Sequence, residues 1–507
     1  MPASPRVSPR LAQEIGDRSS RTPSYTQLQA SPSEAATQEQ DQPIDWIITS
    51  LLFLFPALGG LLFGYDIGAT SGAIVSLKSA ATSGTTWYAL SSLQSGLAVS
   101  AGLLGALAGS GGAFAFGEKL GRRRELLLAS VCYGVATLLT CTAGGYAQLI
   151  VGRVIYGLGI GFAMHAAPAY IAETTPARVR GLLISLKEGM IVVGILLGYL
   201  ASSQFIDSVG GWRYMYGLSL LPAVMLGAGM LWLPESPRWL LLSGASEEVA
   251  TADCCRTRGQ YGRDEGAVRG EVAEMAATMQ ASRRSTDEAG FAALFSGRNL
   301  RPLTIGMSLM LFQQITGQPS VLYYATEIFE KAGFASQADA SKVSVGLGFF
   351  KLVMTGLAVL TVDSWGRRPL LLLGVSLLTV ALVALSAVNS FLPASSPTAT
   401  WTSVVALLLY VGAYQASFGP ISWLMVGEVF PLAVRGPAAA LASLTNFGSN
   451  FLVSLVLPTV QDNLGLGLTY AIFAGIGLVS LVTIYNIVPE TRGKTLEEIE
   501  ALWDKDE

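Results

Sequence analysis

One histidine, four cysteines and 13% charged side chains are all that 507 residues carry, and each scarcity excludes a class of protein. The single imidazole, His165, has no nucleophile of the usual kind near it in sequence, and neither zinc-type spacing nor a glycine-rich phosphate loop occurs. No metal, cofactor or enzymatic activity is therefore expected. Cys132 and Cys141 share one apolar run while Cys254 and Cys255 adjoin in a charged stretch, so all four read as free thiols and not as a disulfide framework. A net charge of -3 offers nucleic acid no basic surface. What remains is apolar: 51% of residues are hydrophobic and the mean hydropathy is +0.49. That excludes an ordinary soluble domain and makes the lipid bilayer this chain's solvent.

Residues 1–45 have no apolar run and are rich in Ser, Pro, Gln, Thr and Arg, a composition that builds no core. They read as a disordered cytosolic tail or as an organellar transit peptide, since Arg6 and Arg10 precede the first acid, Glu14. Apolar spans then follow at about 47–76, 88–116, 125–145, 147–172, 182–206 and 212–234, each long enough to cross a membrane. A polar stretch, 235–300, contains a helical pattern from Glu265 to Met279 suited to short amphipathic helices. Six further spans fall at about 301–330, 340–362, 369–390, 401–430, 436–460 and 466–488. The expected organisation is all-α: a six-helix unit at 46–234, a cytoplasmic linker at 235–300, a second six-helix unit at 301–488, and a tail at 489–507.

The two units repeat each other. Glu173-Thr174-Thr175-Pro176 with Arg180-Gly181 recurs as Glu428-Val429-Phe430-Pro431 with Arg435-Gly436, and Gly121-Arg122-Arg123 recurs as Gly366-Arg367-Arg368. Two matches in the same order, at equivalent spans, indicate duplication. Basic residues fix the orientation, because short cytoplasmic loops retain them. Lys119, Arg122, Arg123 and Arg124 lie in the 2–3 turn, Arg178 and Arg180 in the 4–5 turn, and Arg367 and Arg368 in the 8–9 turn. Both tails then face the cytoplasm, with Lys78, Arg213 and Lys331 as exceptions on the other side.

Polar groups inside the spans are the candidates for function. Phe312 to Tyr324 places Gln313, Gln314, Gln318, Pro319, Tyr323 and Tyr324 in an apolar segment, where amides and phenols must find partners on facing helices or in a wet cavity. Asp66 in span 1 is a carboxylate in need of a cation, and Arg153 in span 4 is the best candidate. Such a pair either couples a proton or holds two spans together. Glu188 in span 5 has the same two readings, with Lys351 in span 8 as its expected partner; Lys187 is the poorer one because adjacent residues point to different helix faces.

Gly121-Arg122-Arg123, Pro234-Glu235-Ser236-Pro237-Arg238-Trp239, Asp363 with Gly366-Arg367-Arg368, and Pro489-Glu490-Thr491-Arg492-Gly493 together resemble the sugar porters of the major facilitator superfamily. The resemblance runs from about Leu51 to the C-terminus. Phe63 to Gly68, Ser185 to Glu188, Gln313 to Tyr324 and Phe418 to Trp423 are similar to the plant and algal D-xylose-proton-symporter-like group, which includes vacuolar and plastid glucose transporters. It implies two pseudo-symmetric six-helix bundles, twelve transmembrane helices, around a central cavity with alternating access. Gly102, Gly105 and Gly109 on span 2, with Gly157 and Gly161 on span 4, suit helices that approach closely.

Carried over by this resemblance, Asp66, Arg153 and Glu188 are expected to couple protons, and Phe63, Glu188, Gln313, Gln314, Tyr324, Trp423 and Asn446 to hold sugar. Amides donate and accept as a hydroxyl requires, and an indole face covers the C–H face of a pyranose. Arg122, Arg123, Glu173, Arg180, Arg367, Arg368, Glu428 and Arg435 would form a cytoplasmic gate network. The chain departs from the family at Glu188, where glutamine is usual, at Pro319, where asparagine is usual, and at Phe447, where a second tryptophan is usual. The expected function is proton-coupled transport of a hexose or pentose, glucose or xylose, by a monomer in a vacuolar or plastid envelope membrane. An uncoupled uniporter and a non-transporting sugar sensor remain the alternatives.

Overall fold

The computed structural model describes residues 44–286, 291–334, 336–393, 396–431, 434–500 and 502–503. The expectation for the first 43 residues lies outside this set. Spans 1 to 5 are the single helices Trp46–Lys78, Ser92–Leu120, Arg122–Cys141, Tyr146–Thr174 and Ala177–Phe205. Span 6 comprises Gly211–Gly217 and Leu220–Trp232. Spans 8 and 9 are Gln337–Trp365 and Arg367–Phe391, and span 10 comprises Pro397–Ala416 and Phe418–Val429. Spans 11 and 12 form one 53-residue helix, Arg435–Ile487, bent where Gly465 takes φ 76°. Among the described residues, ten helices are long and apolar enough to cross a membrane; the long last one passes twice, and span 7 supplies the remaining pass in pieces.

Span 7, expected at about 301–330, is not one helix. Its helix runs Gly297–Ile315, stops at Gly317 with φ 93°, and resumes as Gln318–Tyr323 and Ala325–Lys331. The break survives because it is buried among protein: the Tyr410 hydroxyl donates to the freed Thr316 carbonyl at 2.9 Å. Non-helical backbone at membrane depth is tolerated only where such partners exist.

Helix ends follow from the local sequence. Asp45 accepts from the Ile47 and Ile48 amides and starts span 1, while Ser91 and Gln94 form a capping box at span 2. Gly121 and Gly366 each close one helix and open the next at φ 91° and 94°. Their lack of a Cβ also admits a carboxylate: a Cβ would stand 2.8 Å from Glu235 at the first and 2.8 Å from Glu490 at the second.

Inside the first unit, glycines bring backbones into contact. A Cβ on Gly64 would lie 1.8 Å from the Ile191 carbonyl of span 5, and one on Gly157 would lie 1.9 Å from the Gly102 carbonyl of span 2. Without a hydrophobic drive between helices in lipid, this close packing is what binds spans. Hydrogen bonds that join the two units cluster at the end away from the arginine-rich turns. Thr326 N donates to Ser71 Oγ at 3.0 Å, Tyr199 donates to the Leu322 carbonyl at 2.8 Å, and Lys78 reaches Glu327 at 3.3 Å. Ser92 donates to Asp462 beside them. Between the units, Pro237–Leu242, Glu247–Arg258 and Glu265–Thr286 pack around Ala250, Cys254, Val268 and Val272. All four cysteines are free.

Candidate functional site

The buried charge pair lies in the first unit. Both Asp66 oxygens are engaged by the Arg153 guanidinium, and the two side chains are 2% and 1% exposed. Arg153 spends its remaining donors on the Ala98 and Val99 carbonyls of span 2, at 3.2 and 3.3 Å, and lies 5.2 Å from the centre of the Tyr216 ring. Gly102 makes room, since a Cβ there would meet the guanidinium at 3.3 Å. A small cleft beside the pair is lined by Tyr65, Thr137, Thr140, Tyr156 and Ser219. A planar, permanently charged fork fixes the carboxylate in this way, whereas a lysine would present only a point charge.

The amides of the second unit form a connected set. Gln313 Nε2 donates to the Phe418 carbonyl at 2.8 Å and to Gly419 at 3.3 Å, at the point where span 10 is itself interrupted. Gln313 Oε1 accepts from Asn446 at 2.7 Å and from Gln314 at 3.2 Å. Gln314 Oε1 and Gln318 Nε2 are buried with no protein partner, which leaves one acceptor and one donor unused on either side of the break in span 7. Trp423 is 37% exposed. Phe63 and Phe447, from opposite units, meet edge to face with ring centres 6.0 Å apart. Tyr324 commits its hydroxyl to the Ser454 carbonyl at 3.1 Å.

Glu188 is not paired with Lys351. It contacts Lys187 at 2.5 Å and is itself half exposed while Lys187 is buried. Adjacent side chains leave a helix in different directions, but these two are long enough to fold back toward each other. Lys351 instead donates to Gln415 at 2.6 Å.

At the arginine-rich end the two units carry the same network twice. Arg122 pairs with Glu173 at 3.2 Å and Ser236 donates to Glu173 at 2.6 Å; Arg367 pairs with Glu428 at 3.1 Å and Thr491 donates to Glu428 at 2.6 Å. Arg123 donates to the Met230 and Leu231 carbonyls, and Arg368 to Tyr485. Arg180 reaches the Thr175 carbonyl and Arg435 that of Phe430. These contacts join helices within each unit. Glu235 and Glu490, to which no role was assigned, anchor them by accepting from the first amides of spans 3 and 9. Glu490 follows Glu235 by 255 residues, as Glu428 follows Glu173, and that regular offset was the signal for both. Burial pushes the Glu235 carboxyl above the ordinary carboxylate range, against the pull of its amide bonds. His165 bonds to the fully buried Glu125 at 2.8 Å and packs its edge on Phe114; nothing in the sequence marked Glu125 off from the neighbouring basic turn.

A family model described as "Sugar (and other) transporter" matches residues 52–503. The chain belongs to this sugar transporter family. It is 50% identical over 477 residues to D-xylose-proton symporter-like 3, chloroplastic, of Arabidopsis thaliana, spanning 92% of this chain and 85% of that one. D-xylose-proton symporter-like 1 of the same plant is 49% identical, over 92% and 94%. Among solved structures, the major facilitator superfamily proton:xylose symporter XylE, bound to 6-bromo-6-deoxy-D-glucose, matches with a TM-score of 0.72 at 30% identity, covering 90% of this chain and 99% of that one. This sugar transporter therefore has the major facilitator fold, two six-helix bundles with pseudo-symmetric networks.

Proposed function

We propose that the chain carries a monosaccharide across a membrane together with a proton, by alternating access of a cavity between residues 46–234 and 301–488. The observation that carries this reading is a fully buried Asp66–Arg153 pair in one bundle together with a connected, partly unsatisfied amide set in the other. A carboxylate that is paired when ionised and released when protonated links proton occupancy to the contact of spans 1 and 4. Gln313, Gln314 and Asn446 supply donors and acceptors for sugar hydroxyls, and Gln314 Oε1 and Gln318 Nε2 have that capacity unused by protein. Trp423 offers an indole face. Relatives named as D-xylose-proton symporter-like support proton and sugar as the cargo.

The sugar site of this proposal also includes Phe63, Tyr324 and Glu188, with Tyr324 acting through span 11, and Glu188 as a second carboxylate open to the cavity. Linker and both tails face the cytosol, a monomer suffices, and the membrane is the plastid envelope or the vacuole; a relative named chloroplastic supports the first. Reconstitution in liposomes tests the coupling. Uptake of glucose or xylose should rise with an inward proton gradient, and Asp66→Asn should abolish the gradient's effect while sparing sugar exchange. Gradient-independent uptake, unchanged in Asp66→Asn, would identify a uniporter. Gln314→Ala should weaken sugar binding by about 1–2 kcal/mol, roughly five- to thirty-fold.

A further inference from the structure

Span 8 carries one charge into the interior of its bundle. Lys351 is 5% exposed, donates to Gln415 Oε1 at 2.6 Å and stands 5.7 Å from the centre of the Tyr414 ring. Among the described residues no carboxylate pairs with it. On the elements packed against span 8, Glu188 pairs with Lys187, Glu327 with Lys78 and Lys331, and Glu428 with Arg367, and on span 8 itself Asp339 pairs with Lys342. Of the neighbouring phenols, Tyr199 and Tyr410 donate to the Leu322 and Thr316 carbonyls, which leaves Tyr414 facing the amine. A cation at membrane depth normally has a counter-charge or a functional reason to lack one.

The amine is also tied to the amide set. Gln415 Nε2 lies 3.3 Å from where a Cβ on Gly419 would stand, and the Gly419 carbonyl accepts from Gln313 at 3.3 Å. A guanidinium here would keep its charge throughout, but a lysine amine exchanges its proton readily as its surroundings pass between dry and wet. The bond to Gln415 is compatible with both states, because an ammonium and a neutral amine each have an N–H to donate.

We propose that Lys351 is a second proton-exchanging group of the transport cycle, placed in the bundle opposite Asp66 and adjoining the sugar amides. The proton leaves Nζ for water when the cavity is wet at the arginine-rich end, and returns from water when the cavity opens the other way. This rests on the proton-coupled reading above.

The test uses the full chain in liposomes, as wild type, Lys351→Gln and Lys351→Arg. D-glucose counterflow is measured at equal pH on both sides from about pH 5 to about pH 9, a range that spans the titration of His-like and perturbed Lys groups, together with the proton-to-glucose ratio under a gradient. Wild-type counterflow should change with pH through a limb that both substitutions remove, Gln holding the high-pH rate and Arg the low-pH rate. Both should lower the proton-to-glucose ratio. Three superimposed profiles with an unchanged ratio overturn the proposal and leave the coupled reading intact. Wild-type uptake indifferent to the gradient overturns both. Tryptophan fluorescence with added D-glucose reports whether each variant still binds sugar; if one does not, the other decides by the same criteria.

Discussion

Two glutamates that do the same job in the two bundles do it with different atoms, and this difference is measurable. Glu235 accepts from the Arg123 and Ser236 amides with one oxygen, Oε1. Glu490 uses both, Oε1 for Arg367 and Arg492 and Oε2 for Arg368. Burial raises the Glu235 carboxyl above its unfolded value of about 4.3. A carboxyl raised on folding contributes stability below its unfolded pKa and loses that contribution as pH rises through the folded one. At pH 7 the charge of Glu235 is therefore a burden on the fold. Glu235→Gln keeps the accepting oxygen and removes the charge, so its melting temperature in detergent should equal or exceed wild type at pH 7, with the advantage gone near pH 4. Glu490→Gln loses the bond to Arg368 and should cost about 1 kcal/mol at pH 7. Equal losses in the two variants would show that the cap needs charge in both bundles.

At the scale of elements, backbone contact between spans 2 and 4 supports the charge pair, because Arg153 binds the Ala98 and Val99 carbonyls only while the helices touch. Gly157→Ala puts a methyl group 1.9 Å from the Gly102 carbonyl. The helices must separate, at a cost of about 1–3 kcal/mol, and proton-driven uptake should fall more than sugar exchange. Gly475→Ala, with nothing within 4 Å of the new methyl group, should leave both rates unchanged and gain up to about 1 kcal/mol from helix propensity. A Gly157→Ala protein as stable and as coupled as wild type would remove the close contact from the mechanism. The glycine spacing that predicts this contact was legible in the sequence, as were most spans, since long apolar runs have few alternatives in lipid. The Asp66–Arg153 pair was legible for a related reason: intramembrane charges are so few that their partners are nearly determined. Where charges were more numerous the same reasoning failed. Lys187 lay next to Glu188 and took it from Lys351, and Glu125 was hidden among the arginines that begin span 3. The break in span 7 was likewise invisible to hydropathy, because Gly317 and Pro319 allow a break without requiring one. The Tyr410 hydroxyl that stabilises it comes from span 10, far away in sequence.

For the whole molecule, the inter-bundle hydrogen bonds and the arginine networks divide the labour between the two ends. Ser71–Thr326, Tyr199–Leu322 and Lys78–Glu327 tie the bundles together at one end, while the glutamate–arginine pairs at the other end brace each bundle internally. Bonds that join the bundles at one end favour opening at the other, and rocking the opposite way must break these inter-bundle bonds while the bracing within each bundle can persist. Each bond at the joined end then biases the equilibrium by its net free energy, about 0.5–1.5 kcal/mol for a neutral pair. Tyr199→Phe deletes one such bond and leaves the ring in place, so the population open at the arginine-rich end should fall by roughly two- to twelve-fold relative to the other state. Gly181 and Gly436 are exposed, equivalent positions with nothing within 4 Å of an added side chain, suited to spin labels through cysteine substitution once Cys132, Cys141, Cys254 and Cys255 are replaced. Pulsed electron resonance between labels at 181 and 436 should show Tyr199→Phe gaining a shorter-distance population as the arginine-rich end closes, and Lys78→Ala, which removes an exposed ion pair worth at most about 1 kcal/mol, shifting the same way by less. A distance distribution that both substitutions leave untouched would mean that these bonds form in both states and do not set the direction in which the cavity opens.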